Sequence, residues 1–158
     1  MTIDSFTIEP LVGEEDLNGV LEVEKESFTN PWTREMYDSE LRNPDVCHIY
    51  VARVSVCRVA GFCAFWFVVD QMHINNVAVR PSYRGRGLGS ALISHALTEA
   101  FRLGAQFSIL EVRRSNVEAK KLYERLGFEV AGTRLAYYNN PVEDALVLRR
   151  DEKASKNI

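Results

Sequence analysis

The sequence predicts a mixed α/β domain with one strand–loop–helix–strand crossover near its middle. Three observations predict it: segments with apolar residues at helical spacing, β-branched and aromatic runs of strand length between them, and glycines placed where predicted helices end. With 158 residues, 46 % hydrophobic and 26 % charged, the chain is long enough to bury one sizeable core. We assign residues 1–150 to this single domain and expect a disordered polar tail at 151–158.

The first half of the chain predicts a short strand, two helices and three strands. Apolar residues from Leu17 to Phe28 share one helical face, and Asn30 followed by Pro31 provides an N-cap and a first helical position for the next helix. Two β-rich runs then predict a hairpin, and a third run predicts another strand. The predicted ranges are strand 6–10, helices 14–28 and 31–41, and strands 46–54, 59–69 and 72–79.

The second half predicts the crossover and a C-terminal pair of strands. A helix over 88–103 carries a stripe of leucine and alanine, and Gly104 and Gly127 are placed to close this helix and the next one as left-handed caps. The predicted ranges are helix 88–103, strand 107–112, helix 117–126, and strands 128–133 and 145–149. The predicted order is therefore β-α-α-β-β-β-α-β-α-β-β.

The charge balance and the apolar runs narrow the possible partners. A net charge of -3 gives no general attraction for nucleic acid, so an anion site must be local, and Arg80, Arg84 and Arg86 form the basic cluster. The N-terminus lacks a basic segment followed by an apolar run, and the longest apolar run, 60–69, is too short to cross a bilayer. We expect a cytoplasmic protein with no nucleic-acid or membrane partner.

The cysteines and histidines predict neither disulfides nor a metal site. Cys47, Cys57 and Cys63 are odd in number and lack C-x-x-C spacing, which indicates reduced, half-buried strand residues. The three histidines do not form an H-x-x-x-H pair, and each is interpreted as a residue of a strand or of a helix surface rather than as a ligand. They are His48, His73 and His95.

A glycine-rich loop, R-G-R-G-L-G-S at residues 84–90, lies between a predicted strand and a predicted helix. Unpaired amide groups at a helix N-terminus bind anions, and glycine lets the backbone approach a phosphate or pyrophosphate closely. A P-loop would need a lysine after the glycines, and none follows. A dinucleotide fingerprint fits poorly because Ser90 stands at its third glycine position and the chain has one crossover only.

Two further residues are chemical candidates, each with a structural alternative. Alternation in the strand 107–112 places Glu111 on one side with Phe107 and Ile109, where a carboxylate is costly unless it is paired or used. The alternative is a surface ion pair between Glu111 and Arg113. Tyr123 lies on the apolar stripe of its helix, so a core tyrosine with a satisfied hydroxyl group would produce the same pattern.

The stretch V-A-V-R-P-S-Y-R-G-R-G-L-G-S-A-L resembles the acetyl-coenzyme A motif of the GNAT N-acetyltransferases, whose core reads Q/R-x-x-G-x-G/A. The resemblance implies a GNAT-like fold with central strands splayed around acetyl-CoA, the cosubstrate. It also implies that the strand before the loop pairs with the pantetheine arm, while the loop amides hold the pyrophosphate. The coenzyme-binding residues implied are Val77, Ala78, Val79, Arg84, Gly85, Arg86, Gly87, Leu88, Gly89 and Ser90.

Other motifs resemble the ribosomal-protein-alanine N-acetyltransferases, the RimI-type branch of that superfamily. They are N-P-W at 30–32, L-E-V-R-x-S-N-x-x-A-x-x-L-Y-x-x-L-G-F at 110–128, and Y-Y followed by E-D-A within 137–145. The resemblance implies Glu111 as general base, Tyr123 as general acid and Asn116 as a further coenzyme contact. It places an acceptor peptide between the loop joining the first two helices and the last hairpin. The acceptor residues implied are Phe28, Trp32, Tyr137 and Tyr138, although Trp32 and Tyr138 could equally fasten helix and hairpin to the core.

The predicted function is therefore transfer of an acetyl group to the N-terminal α-amine of a protein, an alanine-starting ribosomal protein of the small subunit. We expect a monomer or weak dimer. An α-amine, with a pKa of about 7.7–8.0, needs less help to lose its proton than a lysine near 10.4, which mildly favours the α-amine. Three alternatives stay open: a broader N-terminal acetyltransferase for Ser, Thr or Met starts, an acetyltransferase for small amines, and a coenzyme A-binding regulator without turnover.

Overall fold

The computed structural model describes residues 5–55 and 58–152. Seven strands form one mixed sheet in the order β1-β2-β3-β4-β5-β7-β6, and of the described strand pairs only β4–β5 is parallel. The elements are β1 Thr7–Pro10, α1 Gly13–Ser27, α2 Arg34–Leu41, β2 Cys47–Ser55, β3 Arg58–Val68, β4 Gln71–Val79, α3 Leu88–Leu103, β5 Phe107–Arg113, α4 Val117–Arg125, β6 Glu129–Tyr138 and β7 Glu143–Asp151. This confirms the predicted fold class, element order and crossover.

Helices cover the sheet on both faces, because alternate strand residues feed two separate hydrophobic clusters. Phe65 of β3 packs in one cluster with Leu92 of α3, whereas Phe62 packs in the other with Val20 of α1. We call these the α3 face and the α1 face. The described cysteines are free thiols, with Cys47 half-buried and Cys63 fully buried, so Cys63 is more enclosed than predicted. Cys57 lies outside the described residues.

The start of α2 differs from the prediction. Thr33, not Asn30, is the N-cap: its backbone is extended and its hydroxyl oxygen accepts a hydrogen bond from the Met36 backbone amide at 3.3 Å. The chain stays non-helical through Trp32 because the Trp32 amide donates to a side chain outside the helix, Glu24 Oε2, at 3.1 Å. Residues 28–33 therefore form a loop between α1 and α2, which we call the α1–α2 loop.

The C-terminal strands are longer than predicted, and the predicted tail begins too early. Asp151 pairs with Phe107, and the Glu152 backbone amide donates to the Gln106 carbonyl oxygen at 3.0 Å. Glu152 is buried and forms an ion pair with Arg150. Residues 151 and 152 thus belong to the folded domain because pairing with β5 continues to them, and residues 153–158 lie outside the described part of the chain.

Candidate active site

The two parallel strands at the centre of the sheet separate partway along their length. Pairing of β4 with β5 ends at Ile74 opposite Leu110, yet β4 continues to Val79 and β5 to Arg113. Beyond this point β4 remains paired with β3 on its other side. The β4 edge that faces β5 is consequently available to an extended ligand, and the gap between the two strands is a wedge, a name we keep below.

A β-bulge lies at the apex of the wedge. The register shifts by one residue between the pairs Ala64–Asn76 and Phe65–Ile74, so Asn75 is the extra residue of β4. Bulges turn side chains and end pairing, and they are common next to active sites. Here the bulge coincides with the end of the β4–β5 ladder.

The glycine-rich loop follows β4 after a single 3-10 turn and leads into α3. Gly85 and Gly87 have φ angles of +77° and +85°, and Gly87 is the N-cap of α3. These left-handed conformations strain any residue with a Cβ atom, so the backbone itself requires glycine at both positions. Leu88 anchors the loop, since its side chain is buried in the cluster of the α3 face.

The basic residues near the loop have unequal roles, and the predicted cluster of three is wrong for Arg80. Arg80 is buried and bonds the Val59 carbonyl oxygen, Glu22 and Glu26, which ties β4 to β3 and α1. Arg84 is exposed and reaches back to the Val79 carbonyl oxygen at 2.8 Å. Arg80 is occupied by these protein groups because α1 supplies two carboxylates beside it.

Helix α4 borders the wedge close to the loop. A Cβ atom at Gly89 would lie 3.8 Å from Val79 and 3.9 Å from Leu122, so the first turn of α3, the end of β4 and α4 meet at one place. Asn116 caps α4: its side-chain oxygen accepts from the Ala119 amide at 3.1 Å. The contact of Asn116 with the coenzyme stays a prediction. Because the side-chain oxygen already accepts this hydrogen bond, we expect the side-chain amide nitrogen to make that contact.

Glu111 is the first residue of β5 beyond the paired ladder, and it lies on the α1 face because its neighbours Leu110 and Val112 enter the cluster of the α3 face. Its side chain is 7 % exposed. Oε1 lies 2.8 Å from His73 Nε2, while Oε2 has no hydrogen-bond partner in the described residues and lies 3.8 Å from Arg134. Burial pushes the pKa of Glu111 upward, but the hydrogen bond and charge of His73, with Arg134, hold it below its usual value.

The alternative ion pair between Glu111 and Arg113 is wrong. Arg113 bonds Glu143 and the carbonyl oxygens of Asn139 and Pro141, and its guanidinium group lies 4.5 Å from the ring centroid of Tyr138. Glu111 and Arg113 share a face of β5, but Arg113 lies at the end of the strand, where the turn between β6 and β7 offers it nearer partners. The cation nearest to the free oxygen of Glu111, Oε2, is instead Arg134 of β6, at 3.8 Å.

His73 is a site residue that the sequence reasoning missed. Its ring bridges Asn75 Oδ1, 2.6 Å from Nδ1, and Glu111 Oε1, 2.8 Å from Nε2. Burial lowers the pKa of His73, but Glu111 and Asn75 outweigh this effect and raise it above its usual value. The sequence did carry one signal for His73. A crossover makes β4 and β5 neighbours, so a histidine on the same face as Glu111 could have been expected to contact it.

Tyr123 is buried, with its ring packed edge-on against Phe128 at 5.5 Å. Burial raises the pKa of Tyr123 well above its usual value, with further contributions from Cys63 and Tyr138, so its hydroxyl group keeps its proton. Burial and then Tyr137 and Glu111 raise the pKa of Tyr138 to about 12. Tyr138 packs under the guanidinium group of Arg113, two residues after Glu111 on β5.

The two predicted acceptor segments touch each other at the rim of the site. Asn30 of the α1–α2 loop donates to the Asn139 carbonyl oxygen and accepts from the Asn140 side chain. Trp32 is half-buried and its ring lies 5.3 Å from the buried ring of Tyr37 at a tilted angle of 51°, so it does fasten the loop to the core. Of the four predicted acceptor residues, Phe28, 37 % exposed, and Tyr137, 46 % exposed, are the ones most open to solvent.

A buried carboxylate, also missed from the sequence, holds the α1–α2 loop against the bulge. Glu24 accepts hydrogen bonds from the Tyr37 hydroxyl group, the Asn76 side-chain amide and the Trp32 backbone amide. It is fully buried, and burial raises its pKa despite these three donors. Because Tyr37 belongs to α2 and Asn76 to β4, Glu24 connects both helices of the α1 face to the strand that borders the wedge.

The wedge, the glycine-rich loop at the start of α3 and the carboxylate at the apex are the features expected of an enzyme that transfers an acyl group from a coenzyme A thioester to an amine. Residues 17–128 match the family model described as "Acetyltransferase (GNAT) family". The chain belongs to this family and is an acetyl-CoA-dependent N-acetyltransferase, as the resemblance implied.

Relatives and a solved structure agree with this family. The chain is 38 % identical over 134 residues to a Bacillus subtilis (strain 168) protein named "Putative [ribosomal protein bS18]-alanine N-acetyltransferase", covering 85 % of this chain and 88 % of that one. It is 33 % identical over 135 residues to the Escherichia coli (strain K12) ribosomal protein bS18-alanine N-acetyltransferase, with 84 % and 89 % covered. The crystal structure of the ribosomal-protein-S18-alanine N-acetyltransferase from Escherichia coli superposes with a TM-score of 0.84 at 30 % identity, over 93 % and 94 % of the chains.

Two further observations concern membranes and metals. Among residues 5–55 and 58–152, no helix has the length and apolar character to span a membrane. In the same part of the chain, no three potential metal ligands among His, Cys, Asp and Glu are grouped to hold an ion.

Proposed function

We propose that this enzyme transfers the acetyl group of acetyl-CoA to the N-terminal α-amine of an alanine-starting ribosomal protein of the small subunit, in the cytoplasm. The observation that carries the proposal is Glu111, a buried carboxylate at the apex of the wedge whose Oε2 atom has no hydrogen-bond partner among the described residues. A buried acceptor without a donor is costly, so it is expected to meet a ligand or water. The names of the relatives support the acceptor class.

The coenzyme would lie along the wedge and across the glycine-rich loop. The edge of β4 at Val77–Val79 that β5 leaves unpaired would offer backbone groups to the pantetheine arm, as another strand would, although Arg84 bonds the Val79 carbonyl oxygen. The amides of Gly85–Ser90 and the positive end of α3 suit the pyrophosphate. When bound, the coenzyme supplies the activated acetyl group, and its thioester would lie near Glu111 because the pantetheine edge ends at the apex of the wedge.

Glu111 would act as general base and Tyr123 as general acid. The amine nitrogen attacks the thioester carbon, the new C–N bond forms, the C–S bond breaks, and one proton leaves the nitrogen. Glu111 Oε2 would take that proton, directly or through one water. Tyr123 keeps its proton under ordinary conditions, so its hydroxyl group can donate to the departing sulfur.

The acceptor chain would enter from the α1 face, between the α1–α2 loop and the hairpin of β6 and β7. Glu111 lies on this face, and the loop and hairpin meet beside it through Asn30 and Asn139. Trp32 and Tyr138 would form the packed wall of this entrance, while Phe28 and Tyr137 would contact the peptide directly. Such an entrance admits an extended N-terminus and holds it by its backbone and first side chains.

A peptide library that varies the first two residues tests the proposal. The purified protein, acetyl-CoA and the library are mixed, and mass spectrometry identifies which α-amines gain an acetyl group. We expect selective acetylation of alanine starts. Acetylation spread over Ser, Thr and Met starts would indicate a broader N-terminal acetyltransferase instead. Coenzyme binding without acetylation of any peptide would contradict the proposal and favour small amines or a regulatory role.

A further inference from the structure

We propose that His73 and Glu111 act as one proton-accepting pair, in which Glu111 takes the proton of the acceptor amine and His73 then holds it. The inference rests on the proposed role of Glu111 and adds a positioning residue, His73, that acts through it. It concerns the α1 face at the apex of the wedge, where β4 and β5 cease to pair.

The hydrogen bonds of the imidazole ring carry the inference. A neutral imidazole has one N–H group, so it donates from one nitrogen and accepts at the other. Both nitrogens of His73 face oxygen atoms, Asn75 Oδ1 at 2.6 Å and Glu111 Oε1 at 2.8 Å. An imidazolium ring has two N–H groups and can donate to both oxygens at once. The arrangement therefore suits the pair once it has gained a proton.

The bulge explains why the ring is held in this orientation. Asn75 is the extra residue of β4, and this insertion brings its side chain beside His73 only two residues earlier in the chain. The ring also lies 5.7 Å from Trp66 of β3, whose indole N–H donates to Glu40 of α2. Three strands thus fix the imidazole, so its contact with Glu111 does not depend on a mobile side chain.

Charges around the ring favour a single stored proton. Glu111 of β5 attracts the imidazolium form, while Arg134 of β6, 3.8 Å from Glu111 Oε2, opposes it. Asp70, in the turn before β4, lines a groove that His73 also lines, and Glu40 of α2 accepts a hydrogen bond from Trp66. Glu111 is thus the carboxylate in direct contact with the ring. Burial of the two side chains and the contact between them determine whether Glu111 or His73 holds the proton.

The ring also has a route to solvent. The His73 side chain is 22 % exposed and lines a groove of about 640 Å³ together with Gln71, Ile109 and Arg134. Glu111, at 7 %, is far less exposed. A proton held on His73 can consequently leave to water, whereas one held on Glu111 has a poorer exit.

The pair begins with Glu111 ionised and His73 neutral, and the attacking amine gives one proton to Oε2. A half-turn of the carboxyl group, whose terminal torsion is nearly two-fold, exchanges its oxygens and presents the proton to Nε2. His73 becomes imidazolium beside an ionised Glu111 and later releases the proton to solvent. The coenzyme thiolate takes one proton from Tyr123, which is replenished from water.

The first test is a titration of the His73 ring by NMR in the free protein. Wild type is compared with Glu111→Gln, which keeps the shape of the side chain and removes its charge. We expect the pKa of His73 to fall by about one pH unit or more in the variant. An unchanged titration would overturn the pair, whatever amine the enzyme acetylates.

The second test is the pH dependence of kcat in His73→Gln, measured on whichever amine wild type acetylates. Glutamine can donate to Glu111 as Nε2–H does, but it cannot hold a proton. We expect kcat near pH 8 to fall about tenfold. The ratio of variant to wild-type kcat should rise as the pH is lowered, because protonation of His73 then lowers the activity of wild type, whereas the variant has no imidazole to protonate. His95→Gln, on α3 with its ring against Tyr50, is the matched control and should behave as wild type.

The outcomes separate the two proposals. A ratio that stays constant with pH, or a variant as active as wild type, would overturn the role of His73 while leaving Glu111 as base. Full activity of Glu111→Gln together with a wild-type profile for His73→Gln would remove the base itself, and with it the mechanism proposed above. Calorimetric affinity for coenzyme A should remain within about twofold in every variant, which checks that the coenzyme side is intact.

Discussion

The two proposed sides of the active site, one for the coenzyme and one for the acceptor, are built in different ways. The coenzyme side, which consists of the end of β4, the glycine-rich loop and the first turn of α3, depends on backbone: an unpaired strand edge and two residues of positive φ. The acceptor side, which consists of the α1–α2 loop and the hairpin of β6 and β7, depends on side chains that are distant in sequence, such as Asn30 with Asn139. Damage to one side should therefore leave the binding function of the other intact.

The largest effect is expected at the point where the two sides meet. Glu111→Gln should lower kcat about 10²- to 10³-fold near neutral pH because it removes the base, and it should change the KM for acetyl-CoA by about twofold or less. Steady-state kinetics with both substrates varied makes the measurement. A loss seen mainly in KM for acetyl-CoA would place Glu111 on the coenzyme side instead.

The next largest effect is expected from a substitution that disturbs the backbone of the coenzyme side. Gly87→Val should weaken coenzyme A binding about 100-fold, because a β-branched residue opposes the φ of +85° and adds bulk where the coenzyme is expected. Calorimetry measures the affinity.

Gly13→Val is the matched control for this substitution. Gly13 has a similar φ of +76°, and a Cβ atom at Gly13 would, as at Gly87, meet no other atom within 4 Å, but Gly13 begins α1, away from the loop. Both variants should lose comparable stability, while only Gly87→Val should lose coenzyme affinity. Equal affinity losses would mean that strain alone explains the glycine at 87.

The acceptor side should show a smaller, selective effect. Tyr137→Ala should raise the KM for an N-terminal peptide about tenfold, since it removes an exposed ring from the rim, and coenzyme affinity should not change. The exposed Leu135, two residues earlier on β6, provides a control as Leu135→Ala. An unchanged peptide KM for Tyr137→Ala would move the entrance away from the hairpin.

The smallest effect concerns the scaffold of the acceptor side. Tyr37→Phe removes one of three donors to the buried Glu24 and should lower the free energy of unfolding by about 1–2 kcal/mol. Tyr50→Phe, with its ring in the cluster of the α3 face, is the control. Denaturant titration compares them, and equal stability of the two variants would argue against the Glu24 network as the support of the α1–α2 loop.

The same division explains what the sequence could predict. Repeating apolar patterns and glycine caps are local signals, and they predicted all eleven helices and strands named above, including α3 to the residue. Contacts between distant residues carry no local signal. The sequence therefore did not reveal that His73 faces Glu111, that Glu24 supports Trp32, or that Arg80 is taken up by Glu22 and Glu26.

Some predictions were wrong because the fold supplied hydrogen-bond partners that the local sequence did not indicate. Asn30 is of a residue type that favours N-cap positions, but Thr33 is the N-cap, and Asn30 bonds the opposite hairpin. The polar residues at 151 and 152 suggested a tail, yet pairing with β5 extends to Asp151. Composition predicts what a residue can do, and the fold determines which of its possible partners is near.

One measurement tests the central claim most directly, that the enzyme acetylates an α-amine. Two peptides of equal length compete for acetyl-CoA: one begins with a free alanine and has no lysine, and the other has a blocked N-terminus and one internal lysine. Mass spectrometry of the products locates the acetyl group. We predict acetylation of the alanine peptide alone, on its first nitrogen. Acetylation of the lysine peptide at an equal or greater rate would contradict the claim.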